Sequence, residues 1–495
     1  MEELATRSKA LVICLLAACA LALSAGVTGA RASAADPYCT GEYGGAAPRV
    51  GAPLRFGIDP GIAGSTGGVQ LPSAPDSTAQ DVAMSSALRP PGKVLVVRLN
   101  RLFWSGGDAL IAQFQALVSA YSRAGLDVEL QVRYHPGSGE DGDLAAWEAY
   151  VRHVVDVFGP DPNVVAMTIT NEVNVTFSSN TSDGAYTDAR DALIDGIEAA
   201  HNEAVRRGFD QLKFGFTYAY RFSPADDASF FSYLAAHGGA PFQSALGFVG
   251  LDFYPGSVYP PAMAPGDTYR AEMAQALGTL RDCFMPMAGL GFGIPIWITE
   301  NGVPTGGSIT EAQQASDLVQ LVDAAQAYSG TFNVTDYRWF NLRDSNSSPA
   351  GSLPGAATTF ATDGLLRDDY SPKPSFAAYR AAIAALGQSV TPSRPGGCRS
   401  SSLRLALARQ LRPIRRAAVY IGRRRLALAR GRHLRSIRLA HPPTRATFTL
   451  AFRLRLRGGR IVRYRHRFEH RGCRIVTVSQ RRRAKPRRQK GPRGS

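Results

Sequence analysis

The stretch V-V-A-M-T-I-T-N-E, from Val164 to Glu172, is typical of a buried β-strand that ends in a carboxylate. Its larger apolar side chains occupy alternate positions: Val165, Met167 and Ile169. The intervening positions hold Ala166, Thr168, Thr170 and Glu172. Because successive side chains of a strand point to opposite faces, this second set would line the inside of a closed barrel. Glu172 would then stand at the C-terminal rim of its strand.

Seven further stretches resemble this strand, and helix-like segments separate them. The eight strand candidates are Leu54–Asp59, Val94–Asn100, Val128–Tyr134, Val164–Glu172, Lys213–Tyr218, Phe248–Tyr254, Ile294–Glu300 and Tyr337–Asn341. The clearest helix candidates are Asp183–Arg207 and Glu311–Tyr328, and Ser308-x-x-Glu311 before the second resembles a capping box. Alternating strands and helices predict a parallel sheet. We therefore expect an α/β fold, a (β/α)8 TIM barrel, over residues 36–389.

Basic residues are concentrated at the end of the chain. From Gly397 onward lie 31 of the 56 Lys and Arg residues but one of the 40 acidic residues, Glu469, which leaves 25 bases and 39 acids in the preceding part. So sharp a change in charge predicts two modules. We expect a Pro/Gly/Ser-rich linker at 390–397, a small basic all-β domain at 398–479 and a disordered basic tail at 480–495.

Within the basic module, Thr447–Leu456 alternates polar and apolar residues as a strand does, and Arg412–Leu426, with Gly422 at a turn, is typical of a hairpin. These patterns predict a small antiparallel β-sandwich. Its arginines favour retention on an anionic cell-wall polymer or acidic polysaccharide, and a solubilising role without a specific partner is the alternative. No nucleic-acid-binding motif accompanies them, so nucleic acid is not the expected partner.

The N-terminus has the organisation of a signal peptide, which we place at residues 1–35. Arg7 and Lys9 precede an apolar run, and Ala32-Ser33-Ala34 resembles a cleavage site. A secreted, extracellular protein is therefore expected. Leu16-Ala17-Ala18-Cys19 also resembles a lipoprotein box, which leaves lipid anchoring at the cell surface, or an uncleaved signal anchor, as alternatives.

Four of the six cysteines lie outside the signal region, an even number that suits an oxidising compartment. Cys398 and Cys473 bracket the basic module, so we expect them to form one disulfide bond. Cys39 and Cys283 then form the second. No Cys or His spacing indicates a metal site, and no cofactor motif is present, so we expect neither a metal nor a cofactor.

A second carboxylate ends another strand candidate, in Ile298-Thr299-Glu300-Asn301-Gly302. Two inward carboxylates at the same rim of a barrel can converge across its mouth, and hydrolysis of a glycosidic bond needs such a pair. Each motif alone is more commonly a solvated turn. The runner-up interpretation is a non-catalytic carbohydrate-binding or cell-surface protein on a barrel scaffold.

Glu172 ends strand four and Glu300 ends strand seven. This order resembles that of the clan A glycoside hydrolases, and most closely that of the cellulase-like family 5. The resemblance covers about residues 51–385. It implies a retaining hydrolase acting on a β-linked oligo- or polysaccharide, with Glu172 as general acid/base and Glu300 as nucleophile.

The resemblance also implies a set of substrate-binding residues. Arg98 would orient the nucleophile, Tyr254 would hydrogen-bond to it, and Asn171 would contact the sugar 2-hydroxyl. His135 occupies a position where family 5 commonly has histidine, and Trp339 would floor the sugar site. Further aromatic residues are candidates for stacking subsites: Phe103, Trp104, Tyr134, Tyr220, Phe222 and Tyr259.

One motif departs from the family. Family 5 usually has His-x-Tyr on strand six, where this chain has Asp252-Phe253-Tyr254. Thr299-Glu300-Asn301-Gly302 is also similar to the β-glucosidase family of the same clan, although the rest of that family's pattern is missing. The family and the sugar therefore stay open at this point.

Overall fold

The computed structural model describes residues 36–60, 74–347, 360–390, 403–407, 413–422, 424–439, 447–471 and 474–479. Eight parallel strands form a closed barrel in sequence order. They are β1 Arg55–Ile58, β2 Val96–Phe103, β3 Asp127–Arg133, β4 Val164–Ile169, β5 Lys213–Ala219, β6 Phe248–Asp252, β7 Ile296–Glu300 and β8 Val334–Trp339. Closure comes from β8, which pairs with β1. The barrel predicted from the sequence is confirmed.

Helices alternate with these strands and cover the barrel. Their bounds are Thr78–Leu88, Gly107–Arg123, Leu144–Phe158, Ala189–Arg207, Pro224–His237, Gly239–Ala245, Tyr269–Gly278, Glu311–Phe332 and Pro374–Leu386. One predicted helix start and one predicted helix cap are wrong, whereas the predicted start at Glu311 is confirmed. The fourth of these helices begins at Ala189, because Asp183 is used in tertiary hydrogen bonds. The eighth is capped by the Thr310 side chain, which accepts from Gln313 N–H, and not by Ser308.

The inside of the barrel carries charge as well as apolar side chains. Glu129 on β3, fully buried, lies 3.5 Å from Arg98 and 3.1 Å from Arg338. Arg338 also reaches Asp336 at 2.8 Å, and Asp336 pairs with Arg55 at 2.7 Å. Buried charges are tolerated only when paired, so this network of alternating sign fixes the side chains beneath the barrel mouth.

The strands that follow Ser389 belong to a second compact unit. Five antiparallel strands form one sheet in the order β11-β10-β13-β14-β15, and β12 pairs with β9 in a separate ladder. Their bounds are β9 Leu403–Ala406, β10 Ile414–Ile421, β11 Arg424–Arg430, β12 Ser436–Leu439, β13 Thr447–Leu456, β14 Ile461–Arg471 and β15 Arg474–Ser479. The predicted strand at Thr447–Leu456 and the hairpin turning at Gly422 are both confirmed.

Cys39 and Cys283 form the predicted disulfide bond, with their Cα atoms 5.8 Å apart. Cys398 and Cys473 lie outside the described residues, as do the signal segment 1–35, the linker from 391 onward and the tail 480–495, so those expectations stay predictions. In the described ranges, no helix combines the length and apolar content needed to cross a bilayer.

Candidate active site

Glu300 owes its inward position to an irregularity in the sheet. Leu251 pairs with Ile298, but Asp252 pairs with Glu300, so Thr299 is an extra residue on β7. A bulge of this kind re-aims the side chains that follow it. Without it, Glu300 would share the outward face of Ile298; with it, the Glu300 carboxylate lies inside the barrel mouth and the residue is 7% exposed.

Both oxygens of the Glu300 carboxylate are held. Arg98 Nη1 donates to Oε1 at 2.6 Å, and the Tyr254 hydroxyl donates to Oε2 at 2.8 Å. Burial lowers the pKa of the Arg98 guanidinium, but the negative charges of Glu300, Asp252 and Glu129 outweigh that effect and raise it. Arg98 is therefore a permanent positive charge against Glu300.

Glu172 reaches the mouth through a turn and not through strand alternation. β4 ends at Ile169, so the predicted strand is three residues too long. Thr170 (φ 67°) and Glu172 (φ 47°) both adopt left-handed backbone, which interrupts the alternation of faces. The Glu172 N–H donates to Thr217 Oγ1 on the neighbouring strand β5 at 3.0 Å, and this bond fixes the turn.

Asn171 is locked between Glu172 and a buried loop. Its Nδ2 donates to the Thr181 carbonyl at 2.8 Å and lies 3.4 Å from Glu172 Oε2. Its Oδ1 accepts from the Thr217 hydroxyl at 3.1 Å. Asn171 therefore has its amide fixed in orientation beside Glu172.

Asp183 supports this arrangement and is missing from the predicted site. Its carboxylate accepts from Arg133 Nε at 2.8 Å and from the backbone N–H groups of Tyr134 and Asn171 at 2.9 Å each. Burial raises the pKa of Asp183 to about 6, even though Arg133 and these hydrogen bonds act to lower it. The sequence assigned Asp183 to the start of a helix, since its partners lie on other strands and leave no local pattern.

Three carboxyl groups meet at the mouth. One oxygen of each of Glu172, Asp252 and Glu300 lies within 4.8 Å of the other two. Burial, followed by the charges of Asp252 and Glu300, raises the pKa of Glu172 well above its ordinary value. Burial and the charge of Glu300 likewise raise the pKa of Asp252, although Arg98 opposes them. Because like charges this close disfavour simultaneous ionisation, the cluster retains protons that separate carboxyl groups would lose.

Asp252 is the second member of the site that the prediction lacks, although it stands where the chain departs from the family pattern. It is 3% exposed, and its Oδ1 accepts from the Thr299 hydroxyl at 2.7 Å. The three carboxylates are close enough to share a metal ion, but the cation that faces them in the described structure is the Arg98 guanidinium, already bonded to Glu300.

His135 lies at the rim without a described contact to the three carboxyl groups. Its ring packs against Phe103 at 4.7 Å and Tyr186 at 5.1 Å between centroids, and its Nδ1 is 3.4 Å from Ser105 Oγ. Burial and the positive charge of Arg133 lower the pKa of His135. His135 is thus available near neutral pH as an uncharged ring on one wall of the mouth.

Trp339 does not line the mouth, so that part of the prediction is wrong. Its side chain is fully buried, its Nε1 donates to the Asp363 carbonyl at 2.9 Å, and its ring lies 6.4 Å from that of Tyr379 in the outer helix layer. Phe340 points the other way, and its ring meets the ring of Tyr254 edge-on at 6.1 Å. Successive residues of an extended chain point to opposite faces. Phe340, and not Trp339, is therefore the aromatic side chain beside the site.

The other aromatic candidates differ in exposure. Trp104, Tyr134 and Tyr220 are buried, whereas Phe222 is 38% exposed. The Phe222 ring pairs with that of Phe177, which is 72% exposed, at 5.8 Å between centroids. Since these two residues follow strand β5 and the Glu172 turn, they form an exposed aromatic surface on that side of the barrel.

A cavity of about 220 Å³ opens next to Phe340. Asp59, Asp81, Arg101 and Tyr121 are among the residues that line it. An aromatic wall with a few converging polar groups is characteristic of small-molecule sites. Its lining includes residues of the helices Thr78–Leu88 and Gly107–Arg123 and does not include Glu172, Asp252 or Glu300.

No protein-family model matches this sequence, and no curated protein matches it. Among solved structures, a GH5_18 protein from Streptomyces cattleya in complex with GlcNAc is similar, with 17% identity, coverage of 68% of this chain and 80% of that chain, and a TM-score of 0.48. A GH5_18 protein from Bifidobacterium longum subsp. infantis has 16% identity, the same coverages and the same TM-score.

The family 1 β-glucosidase from Thermotoga maritima is similar at 14% identity, with 68% of this chain and 98% of that chain covered and a TM-score of 0.47. Likenesses this distant do not assign a reaction. The function is therefore inferred from the side chains of the site itself.

Proposed function

We propose that the protein is a secreted retaining glycoside hydrolase that cleaves a β-linked oligo- or polysaccharide by double displacement. The observation that carries this proposal is that one carboxylate oxygen of Glu172 lies within 4.8 Å of one carboxylate oxygen of Glu300. Retaining enzymes hold their two carboxyl groups about 5–5.5 Å apart, whereas inverting enzymes leave about 6.5–9.5 Å for a water molecule. The short spacing favours direct attack by one carboxylate.

The environments of the two groups differ in the way the two roles require. Glu300 is bonded to the buried Arg98 guanidinium, which stabilises its negative charge and suits a nucleophile. Among the described residues no cation forms an ion pair with Glu172, and burial with neighbouring negative charge raises the pKa of Glu172, which suits a general acid. This asymmetry supports Glu300 as nucleophile and Glu172 as acid/base.

In the first step, a Glu300 oxygen bonds to the anomeric carbon while the bond to the leaving oxygen breaks, and Glu172 gives its proton to that oxygen. Ester formation removes the charge of Glu300, so Glu172 can then accept a proton from water. The water oxygen bonds to the anomeric carbon, the ester bond breaks, and Glu300 is released as carboxylate. Asn171, beside Glu172, and Phe340, beside Tyr254, border the position of the sugar.

The test is hydrolysis by the full chain of a panel of aryl β-glycosides, β-glucans, mannans and xylans, with the product followed by proton NMR. We expect the β-anomer to appear first. First appearance of the α-anomer would contradict the retaining mechanism. Binding of a glycan without turnover would instead favour the carbohydrate-binding alternative.

Location and partner belong to the same proposal. The signal-like N-terminus favours secretion, and the Cys39–Cys283 disulfide bond is typical of proteins from oxidising compartments. The basic C-terminal unit favours retention on an anionic cell-wall polymer or acidic polysaccharide. Cell fractionation that finds the chain in the medium or on the wall would agree with this; a cytoplasmic chain would contradict it.

A further inference from the structure

One face of the five-stranded sheet is covered by arginine. The arginines whose side chains are exposed on that face are Arg416 on β10, Arg430 on β11, Arg453 and Arg455 on β13, and Arg463, Arg465 and Arg467 on β14. We call these seven residues the arginine face. The opposite face packs the apolar core of the unit, which includes Val419, Leu450, Phe452, Leu454 and Phe468. Because strand side chains alternate, the guanidinium groups all project away from this core.

Several of these arginines stand directly opposite one another. Arg416 pairs in register with Arg455 on one side and with Arg430 on the other, and Arg453 pairs with Arg463. Like charges directly across a ladder destabilise a sheet. A sheet that only needed solubility would place acids or neutral polar residues among them, so the repeated like-charge pairs indicate a surface arranged for an external anion.

No compensating carboxylate is available nearby in sequence. Between Gly397 and Ser495 the chain has a single acidic residue, Glu469. Among the side chains of this unit that the structure describes, none forms an ion pair with the arginine face. Neighbouring strands lie about 4.8 Å apart, and alternate residues on one strand about 6.8 Å apart, so the guanidinium groups form a two-dimensional array with spacings of a few ångströms.

We propose that the arginine face is a binding surface for a polysaccharide that carries carboxylate groups along its length. A linear chain of closely spaced carboxylates contacts many guanidinium groups at once, and the planar guanidinium fork matches a carboxylate with two parallel hydrogen bonds. The choice of a glycan rests on the proposed function, because a barrel that hydrolyses glycosidic bonds brings this face to polysaccharide. Binding to the face needs no turnover by the barrel.

The test compares two triple variants of the full chain. Arg453→Gln/Arg463→Gln/Arg465→Gln removes three charges from the arginine face. Arg432→Gln/Arg435→Gln/Arg438→Gln removes three exposed charges of the same unit outside the sheet and is the matched control. Binding to immobilised polygalacturonate is measured at 50 and 200 mM salt, with neutral dextran, polyphosphate and single-stranded DNA as the other probes.

We expect the face variant to bind polygalacturonate about tenfold more weakly than the wild type, with a smaller dependence on salt, and the control variant to stay close to the wild type. Dextran should not bind. Equal weakening in both variants, binding to dextran, or tighter binding to polyphosphate or DNA than to polygalacturonate would each overturn the proposal.

Two further readouts separate the possible failures. The melting temperature of the face variant should equal or exceed that of the wild type, because like-charge repulsion is removed; a large fall would mean that these arginines hold the sheet together, contrary to the proposal. Hydrolysis of a soluble aryl glycoside should be the same in all three proteins. If the wild type binds polygalacturonate but hydrolyses no glycoside, the proposed reaction fails while the binding surface stands.

Discussion

The carboxyl groups of Asp252 and Glu172 lie within 4.8 Å of each other, and each has a pKa raised by burial and by nearby negative charge. Asp252 stands where the family that the sequence resembles, glycoside hydrolase family 5, usually has histidine. A histidine would add no negative charge, whereas Asp252 adds one when ionised. The protonation of Glu172 is therefore coupled to Asp252.

Asp252→Asn should move the basic limb of the pH dependence of kcat/KM to lower pH by about one unit. Removing the neighbouring charge lowers the pKa of Glu172, so its acid form is lost at lower pH. The pH profile is measured on a soluble aryl glycoside, with Asp108→Asn, a substitution at an exposed side chain, as control. An unchanged or higher basic limb would contradict the coupling.

Glu300→Ala should reduce kcat on every substrate by about 10⁴-fold or more, because the attacking group is lost. Added azide or formate should restore turnover, since a small anion can occupy the space left by the side chain. The azide product should be the α-glycosyl azide, which is identified by NMR. Rescue that yields the β-product would assign the nucleophile elsewhere.

Glu172→Ala should distinguish substrates by their leaving groups. A dinitrophenyl glycoside needs little protonation, so its glycosyl-enzyme should form at nearly the wild-type rate and then accumulate. An alkyl glycoside should lose activity by about 10²-fold to 10⁴-fold. Pre-steady-state kinetics and intact-protein mass spectrometry measure both steps. Equal losses on the two substrates would be inconsistent with an acid/base role.

Substitutions at two adjacent aromatic residues test the face assignment. Phe340→Ala should raise KM, since Phe340 borders the site. Trp339→Ala should instead lower the free energy of unfolding by about 3–5 kcal/mol, because it empties a buried space. Urea unfolding and steady-state kinetics are compared for both variants. If Trp339→Ala raised KM and Phe340→Ala lowered the free energy of unfolding instead, Trp339 would be the residue at the sugar site.

Non-reducing peptide mapping of the mature protein should find Cys398 joined to Cys473. The bridge would close a loop around most of the basic module and stabilise it by about 2–4 kcal/mol. Reduction under conditions that leave Cys39–Cys283 intact should then lower the melting temperature of the module alone. Free thiols at both positions would exclude the bridge.

The barrel was predictable because strand and helix periods are local properties of the sequence. The eight strands followed from alternation within short stretches, but the inward positions of Glu172 and Glu300 did not: the first depends on a turn and the second on a bulge. Where the structure departs from that alternation, prediction failed for a physical reason. Thr170 and Glu172 adopt left-handed backbone in the turn, and neither residue is of a type that predicts this conformation.

Long-range contacts account for the other misses. Asp183 bonds to groups on β3 and at the Glu172 turn, and Asp252 joins the carboxyl cluster only when the barrel closes. Trp339 was assigned to the site because of its residue type, but Phe340, the first residue after β8, lies beside the site. A difference of one position along the chain decides which of the two aromatic side chains faces the barrel mouth.

The charged network inside the barrel affects how the chain folds. Arg55 lies on the first strand, but its partner Asp336 lies on the last strand, and Arg338 on that strand also supplies a counter-charge for Glu129. A nascent chain that stops short of Val334 would have to bury both residues without these partners, which is strongly unfavourable. Early closure of an incomplete barrel is therefore unfavourable. The last strand supplies the counter-charges that allow the interior of the barrel to exclude water in a single step.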